Sequence, residues 1–114
     1  MENPENDLVM YFVVNKDLEM SVGKIATQVA HSMIEYVKRD DCTAEILQEW
    51  YESFDQKKIV LKEKESKIKE LAKEYAYAQD LGLTEIPKDS ITCVCLGIMK
   101  RKDAEPITKR MRLL

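Results

Sequence analysis

The chain predicts an α/β fold, a single compact domain in which helices cover a sheet. Three observations carry this. Residues 8–14 (LVMYFVV) form an unbroken apolar run, as a central strand buried on both faces requires. Residues 91–99 (ITCVCLGIM) are a second such run near the other end. Between them lie amphipathic helical patterns, and strands alternating with helices imply a layered α/β domain. At 114 residues there is room for one core and little for a second.

Each element follows from local chemistry. After the first strand, Asn15-Lys16-Asp17 reads as a polar loop. Ser21 is then a good cap for a long helix, because its hydroxyl can accept from an unpaired first-turn N–H. Ile25, Val29, Met33 and Val37 recur every fourth position, with Ala26, Ala30 and Ile34 beside them, and predict a core-facing stripe. Asp40-Asp41 breaks that helix, and Thr43 caps a second one with Ile46, Leu47, Trp50 and Tyr51 on its apolar side. Residues 58–62 (KIVLK) read as a short strand. Residues 66–81 read as a third helix with Ile68, Leu71, Ala72, Tyr75 and Ala78 on one side, stopped by Gly82. A brief extended piece at 83–86 meets the turn Pro87-Lys88-Asp89-Ser90, and the second long strand follows. Asp103 is the expected cap of a last short helix, whose first turn tolerates Pro106. Residues 1–7 read as a polar tail and residues 8–114 as the domain.

Composition narrows the function. A content of 45% hydrophobic and 34% charged residues is that of a soluble globular protein. No apolar run is long enough to span a bilayer, and the polar first residues show neither signal peptide nor anchor. Cys42, Cys93 and Cys95 are an odd, sparse set, read as reduced thiols in the cytoplasm. The net charge of −3 argues against a generally basic nucleic-acid binder. Residues 100–114, however, hold six Lys or Arg against two acids, so a polyanion would meet a local patch.

The chemistry concentrates at the start of the first helix. At about 100° per residue, Lys24, Gln28 and His31 share one face, opposite the apolar stripe. A strand, a short loop and then Gly23-Lys24 put backbone N–H groups and a positive dipole end beside a lysine, which suits phosphate or a developing oxyanion. The same residues also fit a solvated helix face. Neither GxxxxGK[ST] nor GxGxxG is present. Cys93-x-Cys95 lacks the partners of a zinc set, and with one histidine in the chain no metal site is expected.

Residues 13–31 (VVNKDLEMSVGKIATQVAH) resemble the opening of the type-II peptidyl-tRNA hydrolase family. The matching residues are Asp17, Leu18, Met20, Gly23, Lys24, Ala26, Gln28 and His31. Trp50, the strand at 58–62, Leu81-Gly82-Leu83-Thr84 and Ser90-x-Thr92 follow in the family's order. The resemblance implies a four-stranded mixed sheet, one strand shortened, flanked by helices on both faces. It implies hydrolysis of the ester between peptide and tRNA, without metal or cofactor, by a cytoplasmic homodimer. The catalytic residues carried over are Lys24, His31 and Thr92, with Gly23 and Gln28 meeting substrate. The family's Asp-Ala-Gly-x-Thr segment is read as absent, and Asp89 as the stand-in for its aspartate. Lys100 and Arg101 are the expected contacts to tRNA. Without that aspartate, a catalytically silent relative that binds tRNA or a protein is the alternative reading.

Overall fold

The computed structural model describes residues 4–53, 55–80, 87 and 89–114. The chain runs β1 (Leu8–Asn15), α1 (Val22–Val37), α2 (Ala44–Glu52), β2 (Lys58–Glu63), α3 (Glu65–Leu71), β3 (Ala76–Gln79), β4 (Ile91–Lys100), α4 (Arg101–Thr108) and β5 (Arg112–Leu113). The described strands form one mixed five-stranded sheet in the order β3-β4-β1-β2-β5. β1 is central, parallel to β2 and antiparallel to β4. Alternate side chains of β1 serve opposite faces, as the pleat requires. Met10, Phe12 and Val14 pack with residues of α1 and α2, while Val9, Tyr11 and Val13 pack with residues of α3 and α4. Helices therefore cover both faces, as the sequence implies.

The expectation of four strands is corrected to five, because the two-residue β5 pairs with β2. The third helix is also shorter than its periodicity suggests. It ends at Leu71, and Ala76–Gln79 is an edge strand paired with β4. Ala76 and Ala78 are buried while Tyr77 and Gln79 are exposed, so alternation replaces the helical period there. The expected stop at Gly82, the extended piece at 83–86 and Lys88 of the turn lie outside the described residues. Asp103 is not the cap of α4, which begins two residues earlier behind Lys100. Residues 4–6 form a 3₁₀ turn, and Asp7 anchors it to Lys57 at 2.6 Å.

The face that α1 turns to the sheet also differs from the expectation. Its buried residues are Gln28, Ser32 and Tyr36, whereas Ile25, Val29, Met33 and Val37 are only partly buried. Each of the three polar side chains meets a partner on β4. Thr92 Oγ1 lies 2.6 Å from Gln28 Oε1, Ser32 Oγ lies 3.5 Å from Cys93 Sγ, and the Ile98 N–H donates to the Tyr36 hydroxyl at 3.1 Å. Burying polar atoms is tolerable when each is hydrogen-bonded. Gly97 makes room for the last contact: it has φ +88°, and a Cβ there would stand 2.5 Å from Tyr36 Cε1.

Candidate active site

The carboxyl ends of the parallel strands β1 and β2, the start of β4 and the end of β3 all meet at one end of the sheet. In open α/β sheets this is where ligands bind. Asn15, buried at the end of β1, ties that end to β4 by donating from Nδ2 to the Ile91 carbonyl at 3.0 Å. The chain then turns through residues 16–18 and enters α1, capped as expected by Ser21, whose Oγ accepts from the Lys24 N–H. Gly23 faces open space in the first turn.

Lys24 extends from this turn to Asp80, just beyond β3, and the two form an ion pair. The lysine side chain is 12% exposed and the carboxylate 2%. Asp80 is held by its own backbone: its N–H donates to the Ser90 carbonyl at 2.9 Å, and its carbonyl accepts from the Asp89 N–H at 2.6 Å. A cation and a carboxylate removed from most of the water interact more strongly than they would on the surface.

Asp80 is a residue that the sequence reading missed, and among the described residues Lys24 pairs with it and forms no ion pair with Asp89. Asp89 has a positive φ of 66° and an exposed side chain; its contacts here are through backbone atoms. Reading residues 66–81 as one helix hid Asp80 at a helix end. The available signal was Asp80-x-Gly82-x-Thr84, which keeps three residues of the family's Asp-Ala-Gly-x-Thr pattern. That segment is therefore present in the sequence.

Of the other expected site residues, Thr92 and Gln28 are both buried and meet each other between α1 and β4. Thr92 is 0% and Gln28 4% exposed. The Thr92 hydroxyl has one proton for two acceptors, Gln28 Oε1 at 2.6 Å and the Ala78 carbonyl at 3.2 Å. It links α1, β3 and β4 below the ion pair. His31 is exposed, and seven residues of helical rise set it about 10 Å along α1 from Lys24. It lines a groove of about 530 Å³ with Glu35 and Arg39 on one wall and residues 75–79 on the other. Its lining includes Gln79, the residue before Asp80, but neither Asp80 nor Lys24. Lys100 and Arg101 are not brought to the site, since they begin α4 at the far end of β4, about 26 Å of strand from Thr92.

Other chemistries find no support at this site. Burial pushes the Cys93 thiol up to about 11 and the Cys95 thiol to about 12, which keeps both neutral and poor nucleophiles. Among the described residues no three His, Cys, Asp or Glu side chains gather in a metal-binding set. No described helix is long and apolar enough to cross a membrane.

A mixed sheet between two helical layers, with a shielded lysine–carboxylate pair at the carboxyl end of its parallel strands, defines a small α/β domain equipped for electrostatic and acid–base chemistry. Comparison with known proteins makes this specific. The model of the family "Peptidyl-tRNA hydrolase PTH2" matches residues 8–114, and the chain belongs to that family. Among its relatives is a protein of Thermoplasma acidophilum named peptidyl-tRNA hydrolase, 34% identical over an alignment of 114 positions, gaps included, that covers 92% of this chain and 97% of the relative. Proteins of the same name from Thermococcus onnurineus and Methanopyrus kandleri are 32% and 34% identical over alignments of 110 positions, covering 90% of this chain and 93% and 94% of theirs.

Proposed function

We propose that this chain hydrolyses the ester joining a peptide to the 3′ ribose of tRNA. The observation that carries the reading is the Lys24–Asp80 pair, shielded from water at the end of the sheet where the parallel strands finish. Family membership and the names of the relatives point to the same substrate.

Ester hydrolysis needs a water deprotonated as it attacks, a stabiliser for the tetrahedral oxyanion, and a proton for the departing oxygen. Asp80 accepts the proton of the attacking water, and the new C–O bond forms at the ester carbonyl. Lys24 stabilises the oxyanion that develops there. When the intermediate collapses, the bond to the ribose 3′ oxygen breaks and that oxygen leaves with the proton held by Asp80. The products are a peptide with a free carboxyl group and tRNA with a free 3′ hydroxyl. These steps use no metal or cofactor.

Thr92 and Gln28 are positioning residues in this scheme, fixing α1 against β3 and β4 so that lysine and aspartate meet. His31, two turns further along the same face of α1, contacts the substrate where it lies in the groove. Gly23 lets the substrate approach the first turn without a side chain in the way. Residues 8–114 make up the hydrolase unit, with residues 1–7 as an extension. Val22, 84% exposed, and Ile34, 51% exposed, flank Ala26 and Ala30 on one uncovered line of α1, which supports a homodimer. A cytoplasmic location accords with a tRNA substrate.

The test is release of peptide from a defined peptidyl-tRNA. Wild type should turn it over, and Lys24→Ala should lower kcat by about 10²–10³-fold. A wild-type rate equal to the background would end the proposal.

A further inference from the structure

The C-terminal basic residues divide between the two ends of the sheet. Lys100, Arg101 and Lys102 lie at the far end, but α4 then carries the chain back, and β5 pairs with β2 at the end that holds Lys24. There Arg112 stands directly across the ladder from Lys62. Like charges so placed oppose the pairing unless an anion lies near. Beside them, between α3 and α4, is a cleft of about 490 Å³ lined by Lys64, Lys67, Lys109 and Arg110.

The charge balance there is unlike that of the whole molecule. Four cations (Lys64, Lys67, Lys109 and Arg110) and one carboxylate, Glu63, line the cleft, and Lys62 and Arg112 pair beside it, in a chain whose net charge is −3. Glu63 is turned to the backbone, accepting from the Lys64 N–H at 2.9 Å, and Glu70 lies 3.5 Å from Lys67. Among the described residues Lys64, Lys109 and Arg110 form no ion pair within 4.0 Å. The cleft is also joined to the active site. Asp17, in the loop that leads into α1, accepts from the Glu65 N–H at 2.8 Å and so caps α3, which has no side-chain cap of its own.

We propose that this cleft binds the phosphodiester backbone of the tRNA whose 3′ end is held at Lys24. This rests on the hydrolase reading for the identity of the RNA and adds to it the surface that holds the RNA body. Cations without partners, spaced along a cleft, suit a chain of phosphates and read no base sequence. The surface is a different one from Lys100 and Arg101.

The experiment measures direct binding of deacylated tRNA across a salt series, together with steady-state hydrolysis of peptidyl-tRNA. The triple variant Lys64→Glu, Lys109→Glu, Arg110→Glu is compared with Lys102→Glu at the far end, and a triple glutamine variant serves as the milder form. The triple reversal should weaken tRNA binding by about tenfold or more and reduce the slope of log affinity against log salt by about 2–3 units. It should raise KM and leave kcat unchanged, while Lys102→Glu binds as wild type does. The inference is overturned if wild type does not bind tRNA, if the triple variants bind as tightly and with the same salt slope, or if Lys102→Glu weakens binding equally. A wild type that binds through the cleft yet hydrolyses nothing would refute the hydrolase reading alone.

Discussion

Lys24, in the first turn of α1, and Asp80, just past the edge strand β3, form an ion pair whose side chains are 12% and 2% exposed. Two elements far apart in the chain are thereby joined at the one end of the sheet where the parallel strands finish. Desolvating both charges costs free energy, so neither partner is tolerable alone in that setting.

The pair should therefore behave as a unit in stability measurements. Lys24→Met or Asp80→Leu alone removes one side of a mostly buried ion pair and should cost about 3–5 kcal/mol. The double variant should cost well under the sum of the two, while remaining inactive. Urea titrations of the four proteins in a double-mutant cycle measure this, and additive losses would mean that the two charges are not coupled.

Gly97→Ala should lower stability by about 2–4 kcal/mol, from a strained positive φ and a collision with the Tyr36 ring. The Tyr36 hydroxyl, which accepts from the Ile98 N–H, would have to move with its ring. Thermal melting of the variant is the check, and an unchanged midpoint would show that the helix and strand are not in this contact.

The alkaline limit of stability should reflect the buried thiols. An ordinary thiol ionises near 9, and burial raises Cys93 to about 11 and Cys95 to about 12. Between those values the unfolded chain loses protons that the folded chain keeps, so stability is full below pH 9 and falls as pH rises towards 11 and 12. Replacing both cysteines by alanine should flatten this loss, as pH-dependent urea midpoints would reveal. In the native protein at pH 8, a thiol reagent should modify the half-buried Cys42 well before the other two.

How far the sequence discloses this molecule depends on whether the deciding contact is local. β1, β4 and the caps Ser21 and Thr43 are legible because apolar runs and capping hydroxyls act within a few residues. β3 is not, since Ile68, Leu71, Ala72, Tyr75 and Ala78 continue a helical period that pairing with β4 overrides. Asp80 was lost with it, and the carboxylate role passed in the reading to Asp89. The sheet-facing line Gln28-Ser32-Tyr36 reads as polar because its partners, Thr92, Cys93 and Ile98, lie on a strand formed much later in the chain. Lys24 stands out in the sequence because its helix start, motif and dipole all point to one position.

The most direct measurement compares kcat for a defined peptidyl-tRNA in wild type, Asp80→Asn and Asp89→Asn. The amide at position 80 keeps the shape of the side chain but removes the base and the partner charge, so kcat should fall by about 10²-fold or more. Asp89→Asn should turn over at close to the wild-type rate. Full activity in Asp80→Asn, or a collapse confined to Asp89→Asn, would contradict the assignment of the catalytic centre to Lys24 and Asp80.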